Sequence, residues 1–283
     1  MREIELMYSI YHFFKTLVES KEQFINIPKL EDFPFDINLL SCRNKGQFPD
    51  IAIRISPKNE LFTGGELIEL KDSDSYTVSS FNSTIPTRKK EISKLIKGEN
   101  SIIKKQMENA GDDINSLPVR DVYYLIRGKK QGNIKVLLVH GSFFETIQTS
   151  DLISQSFSQV LEERLQQSGL EVNDEIKNLL IAMFSEQENF SKVRTIDRAS
   201  VKLRFRIMTE VKAEGNILNP KKYPEIADNT INFAVPYHTE QDKEIAIKRM
   251  SAVFGKKQLD TFKLLKLKHY FNGYFLVFQK DLL

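Results

Sequence analysis

Residues 46–87 read GQFPDIAIRISPKNELFTGGELIELKDSDSYTVSSFNSTIPT, a pattern that predicts a strand, a turn, a second strand and then a hydroxyl-rich loop. Asp50 opens the first strand, while Glu69 and Lys71 lie near the end of the second. Because residues two apart on a strand point to the same face, Glu69 and Lys71 are predicted to be neighbours, with Leu70 turned to the opposite layer. If the strands pair as a hairpin, Asp50 approaches the same face.

These three charged side chains predict a metal site. Two carboxylates and one ammonium on an otherwise apolar sheet are costly unless a further charge compensates them. A divalent cation such as Mg²⁺ provides that compensation, because hard cations take carboxylate oxygens as ligands.

The sequence Pro49-Asp50 followed by Glu69-Leu70-Lys71 resembles the active site of the PD-(D/E)XK nuclease superfamily, most closely that of a type II restriction endonuclease. The resemblance implies that Asp50, Glu69 and Lys71 are catalytic. It further implies that Asp50, Glu69 and the Leu70 backbone carbonyl hold Mg²⁺, with Mn²⁺ as a substitute. Lys71 would then orient the attacking water and stabilise charge that develops on the phosphate.

The resemblance covers roughly residues 45–140 and implies a fold, a reaction and partners. The fold is α/β: a restriction-endonuclease-like core with a central mixed β-sheet flanked by helices. The reaction is sequence-specific hydrolysis of double-stranded DNA to 5′-phosphate and 3′-hydroxyl ends. Cleavage of a palindrome implies a homodimer, because a two-fold protein matches a two-fold site. It also implies a cognate DNA methyltransferase that acts on the same sequence.

An amphipathic helix is predicted over residues 3–24, where apolar residues recur at intervals of three and four. The simple interpretation is a helix that packs on the sheet. Members of the superfamily often add an acidic residue from this helix to the metal site. Glu5, Glu19 and Glu22 are the candidates, and the sequence does not distinguish among them.

The hydroxyl-rich loop after Lys71 supplies candidate DNA contacts. Ser80, Asn82 and Ser83 carry groups that hydrogen-bond phosphates and base edges. The alternative is a local turn with a helix N-cap at Thr87, because the same side chains compete for backbone groups.

Basic residues are a second source of candidate DNA contacts. A lysine-rich region over residues 88–109 predicts one or two helices whose charges contact phosphate or only face solvent. Arginine pairs well with guanine, and the chemically suitable side chains are Arg88, Arg120, Arg127, Arg204 and Arg206. Lysines that alternate with Tyr270, Phe271 and Tyr274 could also contact DNA, although packing in the core explains the rings equally well.

The remaining pattern predicts an α+β second half. Continuous apolar runs predict buried strands over 121–126 and 134–139, and further strands are predicted over 231–235 and 273–278. Alternation predicts a strand over 201–211 with a basic face formed by Lys202, Arg204 and Arg206. Helices are predicted over 150–167, 174–185, 239–253 and 256–267. The predicted division is a nuclease core over 1–145 and a recognition or dimerisation lobe over 146–283, with one continuous domain as the alternative.

Composition limits the classes of function that the chain can have. The chain has 283 residues, a formal charge of +3 and a pI near 8.7, which permits nucleic-acid binding without requiring it. One cysteine, Cys42, excludes an internal disulfide framework and a cysteine-based zinc site. A cytoplasmic setting is expected, because reduced cysteine is usual there and no signal peptide is apparent. No apolar run reaches the ~20 residues of a membrane span, so no membrane partner is expected.

Two alternatives to a restriction enzyme remain open at this point. One is a nuclease of the same superfamily that acts in DNA repair or phage biology with loose specificity. The other is a non-catalytic DNA-binding protein in which Glu69 and Lys71 form a structural ion pair. Metal binding separates the second alternative from the nucleases, and discrete cleavage products separate the first from a restriction enzyme.

Overall fold

The computed structural model divides the chain into two compact units. It describes residues 8–36, 40–44, 48–55, 61–78, 81–82, 87–96, 101–145, 149–185, 208–209 and 212–282. The first unit comprises Met1–Val78, Arg88–Phe144 and Val211–Leu283, and the second comprises Ser79–Thr87 and Glu145–Glu210.

The described part of the chain forms both strands and helices. The strands are β1 (Leu40–Arg43), β2 (Ile51–Ile53), β3 (Leu67–Ser73), β4 (Phe81–Asn82), β5 (Lys89–Glu91), β6 (Val119–Lys130), β7 (Asn133–His140), β8 (Met208–Thr209), β9 (Thr230–Tyr237), β10 (Lys263–His269) and β11 (Gly273–Asp281). The helices are α1 (Ile10–Glu19), α2 (Lys21–Asn26), α3 (Ile92–Leu95), α4 (Ile102–Asn109), α5 (Thr149–Ser168), α6 (Asp174–Ser185), α7 (Glu240–Phe254) and α8 (Lys256–Leu259).

A nine-stranded mixed sheet forms the first unit, with strand order β1-β2-β3-β6-β7-β9-β11-β10 and β5 paired to β6. The pairs β3/β6 and β7/β9 are parallel, and the other pairs are antiparallel. Strands β6 and β7 are central because their apolar runs are buried on both faces. The prediction of an α/β fold with a large mixed sheet and flanking helices is confirmed.

The helices α1 and α7 cover one face of this sheet. Phe14 of α1 stacks on Phe233 of β9 at 5.1 Å between ring centroids and meets Phe254 of α7 at 5.9 Å. The start of α1 is tied to the start of β3, because Glu66 Oε1 accepts the Ile10 N–H at 3.2 Å. This face is the main apolar core, so the polar residues of β3 that form the candidate site lie on the opposite face.

In the second unit, α5 and α6 pack against each other, and β4 pairs antiparallel with β8. Lys177 of α6 donates to Glu162 of α5 at 2.7 Å. Both helices agree closely with the predicted ranges. Of the predicted strand over 201–211, only 208–209 lies within the described residues, where it is β8.

The predicted division at residue 145 differs from the observed one. Strands β9, β10 and β11 belong to the same sheet as β7, because β9 extends β7 through a parallel pairing. The chain therefore leaves the first unit after Phe144 and rejoins it at Val211, and residues 211–283 belong to that unit rather than to a separate C-terminal lobe.

Two predicted helical regions are also partly strands. Residues 89–91 form β5 before the short helices α3 and α4 begin. Residues 263–269 form β10 rather than the end of a helix, since the Asn272-Gly273 turn brings this segment back against β11. Residues 40–43 form a further strand, β1, at the edge of the sheet. This strand is not predicted from the sequence, because the residues around it are polar.

None of the described helices combines the length and the apolar character that crossing a membrane requires.

Candidate active site

The β2–β3 hairpin brings Asp50 and Glu69 to the same face of the sheet. Ile51 lies opposite Ile68 in this antiparallel pair. When the register is continued by one residue, Asp50 is opposite Glu69, and opposed residues project to the same side. The sheet therefore brings together two carboxylates that are distant in sequence.

Asp50 lies at the start of β2, and its side chain accepts a hydrogen bond from the backbone of β3. It immediately precedes the first residue of this strand, and its Oδ2 accepts the N–H of Leu70 at 2.7 Å. The N–H and C=O of one strand residue point to the same sheet edge, so the Leu70 carbonyl also faces the Asp50 side. This is the orientation that the predicted backbone ligand requires.

Glu69 and Lys71 form a close ion pair on this face. Lys71 Nζ donates to Glu69 Oε1 at 2.8 Å. Glu69 is only 7% exposed, and no hydrogen-bond donor in the described part of the chain reaches its Oε2. The other neighbour is Tyr124 of β6, which lies beside Glu69 in the parallel pairing. One carboxylate oxygen is thus buried without compensation.

The electrostatics of Asp50 reflect the same deficit of positive charge. Burial and the nearby Glu69 carboxylate raise the pKa of Asp50 to about 7, although the Leu70 N–H and the Lys71 ammonium oppose this shift. Two carboxylates share one ammonium here, and like charges in a partly dry site disfavour joint ionisation. Such a site gains stability from any added cation.

The donor set fits a hard divalent cation of the Mg²⁺ type. Mg²⁺ is usually held by one or two carboxylates and keeps several waters, and this site offers two carboxylates and a carbonyl. No group of three or more His, Cys, Asp or Glu residues that could hold a metal occurs among the residues that the structure describes. The arrangement therefore suits a partly hydrated cation rather than a closed protein cage.

A third carboxylate near the site is not predicted by the sequence. The charge of Glu31 also contributes to the raised pKa of Asp50, as the smallest of the named influences. Glu31 is exposed on the single 3₁₀ turn Leu30–Asp32, and its backbone carbonyl accepts Arg43 Nη2 at 2.8 Å. No local pattern marks this residue, because contacts distant in sequence place it.

Of the three acidic residues proposed from the first helix, the structure describes Glu19 and Glu22. Glu5 lies outside the described residues. Glu19 is exposed at the end of α1 and pairs with Lys15 at 3.7 Å, and Glu22 is exposed in the first turn of α2. Unlike Glu31, neither Glu19 nor Glu22 is among the groups whose charge shifts the pKa of Asp50.

A buried arginine fixes the end of β3 next to the site. Arg127 of β6 is fully buried and donates from Nε and Nη2 to the two carboxylate oxygens of Asp72. Its remaining donors reach the backbone carbonyls of Phe24, Ile27 and Pro28. Asp72 also accepts the N–H of Leu30 at 2.8 Å, which attaches the turn bearing Glu31 to the strand bearing Lys71.

The interpretation of Arg120 and Arg127 as base-contacting residues is wrong. Both side chains are fully buried. Arg127 directs all five N–H groups at protein oxygens, and Arg120 donates to Asp112 at 3.0 Å. Residues on a central strand point into the packed layers, so neither arginine can reach a DNA groove.

The other predicted DNA contacts are only partly within the described chain. Ser80, Ser83, Arg204 and Arg206 lie outside it, as does Lys202, and Asn82 is described only as part of β4. Arg88 is exposed immediately before β5. Thr87 is not a helix N-cap, because the next helix begins at Ile92; its hydroxyl instead donates to Glu145 at 3.5 Å.

Comparison of the chain with protein-family models, curated proteins and solved structures finds no match. Function is consequently inferred from the site's own geometry and from the motif.

Proposed function

We propose that this protein is a Mg²⁺-dependent, sequence-specific endonuclease of double-stranded DNA, with a site built from Asp50, Glu69 and Lys71. The observation that carries the proposal is the under-neutralised carboxylate pair, in which burial and Glu69 raise the pKa of Asp50 to about 7. The chain topology adds support. The PD-(D/E)XK resemblance implies a central mixed sheet flanked by helices, and the candidate residues lie at the start of β2 and on the adjacent strand β3 of such a sheet.

Asp50, Glu69 and the Leu70 carbonyl would hold the cation. When bound, a divalent metal lowers the pKa of a water ligand and neutralises charge on the phosphate. Lys71, held at 2.8 Å from Glu69, presents an ammonium at the same face. There it orients the attacking water and stabilises the negative charge that develops on the phosphate oxygens. Water attack at phosphorus displaces the 3′ oxygen and leaves 5′-phosphate and 3′-hydroxyl ends.

Recognition of a palindromic site would use a homodimer, and a methyltransferase of the same specificity would protect the host's own DNA. Neither partner is needed for the central experiment. Purified protein is incubated with long mixed-sequence DNA and Mg²⁺, and the ends are sequenced. A single recurrent sequence at the ends is expected, whereas random ends would favour the repair or phage nuclease.

Variants test the assignment of residues. Asp50→Ala and Lys71→Ala should each abolish cleavage and leave the far-ultraviolet circular dichroism unchanged. Glu244→Ala and Lys248→Ala remove the same charges from exposed positions on α7 and should cleave normally. Cleavage at the parental rate by Lys71→Ala would end the proposed mechanism.

A second candidate function is favoured by one observation, the Glu69–Lys71 ion pair itself. In a non-catalytic DNA-binding protein this pair would be purely structural. Isothermal titration with Mg²⁺ or Mn²⁺ separates the two. The nuclease requires binding that is lost in Asp50→Ala, and the structural interpretation requires none.

A further inference from the structure

The β10–β11 hairpin ends in aromatic rings that face solvent. Tyr270 is 77% exposed and Phe271 is 58% exposed, and the two rings meet edge to face at 4.6 Å. Tyr274, the third residue with a large exposed ring in this hairpin, follows the turn. Large exposed rings at one tip are unusual on a monomer's surface and indicate a binding role.

The tip is held in place rather than merely exposed. Nδ1 of the buried His269 accepts the N–H groups of Phe271 at 3.2 Å and Asn272 at 2.9 Å. Asn272 in turn donates to the carbonyl of Phe143 at 2.8 Å. Gly273 has φ +77°, a backbone conformation that is strained for residues with a side chain. The glycine therefore allows the tight turn that positions the tip. The rings are therefore presented with little conformational entropy left to lose on binding.

Two lysines of β10 lie next to Tyr274. Lys266 Nζ lies 4.4 Å from the ring centroids of both Tyr237 and Tyr274, and Lys268 Nζ lies 6.0 Å from that of Tyr274. The sequence between Asp260 and Asp281 contains four lysines and no acidic residue. We call the surface formed by Lys266, Lys268, Tyr270, Phe271 and Tyr274 the hairpin surface.

Among the described residues, a carboxylate that lies close to Lys266 is already partnered. Glu240, at the start of α7, accepts the Tyr237 hydroxyl and an ion pair from Lys243 at 3.2 Å. These two contacts, with a smaller contribution from Lys266, hold the pKa of Glu240 below its ordinary value. The lysines of the hairpin surface thus retain an excess of positive charge for a polyanion.

The exposed rings and the lysines together distinguish among three possible ligands of the hairpin surface: a second copy of the chain, duplex DNA and a single strand. Strand β10 is an edge of the sheet, but its lysines would face each other if a second copy paired there, and such repulsion opposes association. In duplex DNA the bases are stacked inside and offer no face to an exposed ring. Unpaired bases do offer one, and exposed aromatic side chains interleaved with basic residues are typical of surfaces that bind single strands.

We propose that the hairpin surface binds single-stranded nucleic acid, with unpaired bases stacked on Tyr270 and Phe271 and backbone phosphates on Lys266 and Lys268. This role is independent of the nuclease site. Five strand positions separate β3 from β10, a distance of about 24 Å at ~4.8 Å per position. Binding here therefore requires neither Asp50 nor a metal.

The absence of tryptophan from the sequence allows a direct test of stacking. In Tyr270→Trp the introduced indole is the single tryptophan, and base stacking should quench its emission. The full-length variant is titrated with a twenty-nucleotide oligothymidylate in EDTA, so that cleavage plays no part. Heparin serves as a polyanion without bases. Quenching by the oligonucleotide and none by heparin is expected, and binding of both without quenching overturns the proposal.

Side-chain removal gives a second, independent readout. By fluorescence anisotropy of the same oligonucleotide, Tyr270→Ser and Phe271→Ser should each weaken binding by roughly 5- to 150-fold, the loss of one stacked base. Lys266→Gln should lower the slope of log affinity against log salt by about 0.7, the value for one phosphate of a single strand. Lys256→Gln and Lys257→Gln remove the same charge from exposed α8, at the other end of β10, and should change neither quantity by as much.

Three outcomes contradict the proposal. A 20-base-pair duplex that binds more tightly than the single strand would assign the hairpin surface to duplex DNA. Self-association that Tyr270→Ser abolishes in analytical ultracentrifugation would assign it to a second copy. Parental affinity of both serine variants would remove the rings from binding altogether. Because the titration is performed in EDTA, where the proposed nuclease lacks its metal, failure of the nuclease proposal leaves this test intact, and the reverse also holds.

Discussion

Asp50 makes the stability of the metal-free protein depend on pH. Its pKa is about 7 in the folded protein and about 3.9 in an unfolded chain, so between these values the folded state binds more protons. Stability conferred by the protonated carboxyl is therefore lost as the pH rises through that window. We expect the melting temperature of the parent in EDTA to fall more between pH 5 and pH 8 than that of Asp50→Asn.

The same comparison cancels the contribution of Glu66, another buried carboxylate. Burial raises the pKa of Glu66 to about 7, but Glu66 is present in both proteins and affects both curves alike. Identical pH profiles of parent and Asp50→Asn, measured by thermal unfolding, would contradict the environment described for Asp50.

Mg²⁺ should reverse this pH effect in the parent. A cation binds the ionised carboxylates of the folded state, so saturating Mg²⁺ at pH 8 should raise the melting temperature. The gain should be absent from Asp50→Asn, which has lost a ligand charge. An equal gain in both proteins would show that the ion acts elsewhere.

Glu31 provides a test of the unpredicted third carboxylate. Glu31→Gln should weaken Mg²⁺ binding by a few-fold in isothermal titration, since removing a nearby negative charge reduces the attraction for the cation. Glu22→Gln makes the same change on exposed α2 and should bind Mg²⁺ like the parent. Equal affinities of the two variants would remove Glu31 from the site.

At the residue scale, the sequence identifies what is local. Glu69 and Lys71 follow from the period of a strand, and the register of one hairpin adds Asp50. Glu31 cannot be found in this way, because Arg43 and Asp72 position its turn from far along the chain. The charge of Arg127 alone suggests a surface contact, and only the burial of β6 shows its structural role.

Among the elements, the segment that follows α2 depends on Arg127. Arg127→Met would remove five hydrogen bonds and leave Asp72 without its ion-pair partner. Arg127 is fully buried but Asp72 is partly exposed, so water screens the unpaired carboxylate. The larger cost is the loss of a donor to buried backbone carbonyls, and we expect the free energy of unfolding in urea to fall by about 1–3 kcal/mol. The double variant Arg127→Met with Asp72→Asn should recover part of it, because the unpaired carboxylate is then gone. If the double variant recovers no stability, the whole loss comes from the hydrogen bonds between Arg127 and the backbone carbonyls.

Element type is predictable where the apolar pattern is long. β7, β9 and α7 match their predicted ranges closely, and β6 contains the predicted range 121–126 but extends over Val119–Lys130. The prediction of a helix over 256–267 is wrong from residue 263 onward, because Lys-Leu-Leu-Lys-Leu-Lys satisfies both helical and strand spacing. Pairing with β11 decides between them, and that contact is not visible in a short window.

At the scale of the whole molecule, the sheet requires both ends of the chain. A fragment comprising residues 1–145 lacks β9, β10 and β11 and leaves the apolar edge of β7 unpaired. We expect it to bind a hydrophobic dye and to unfold without cooperativity in thermal denaturation. Replacing 149–185 by a Gly/Ser segment of equal length should instead preserve cooperative unfolding of the sheet. A cooperative transition in the fragment would restore the predicted boundary at residue 145.

The segments of the second unit lie between segments of the first unit in the chain. This order explains why the domain division is not predictable from the sequence. A change of composition is the usual sign of a boundary, and the region after Gly141 has such a change. Composition shows where the chain leaves the sheet but not that it returns, because the return rests on the pairing of Lys135 with Thr230 and its neighbours.

The parallel pairing of β7 with β9 has a consequence for biosynthesis. About 90 residues separate the end of β7 from the start of β9. At a translation rate of about 5–20 residues per second, the ribosome needs roughly 5–18 s to deliver the missing partner. During that interval the emerging chain presents a long apolar strand with an open hydrogen-bonding edge. Recombinant yield should accordingly respond to growth temperature and to holdase chaperones, with the edge of β7 as the segment they protect.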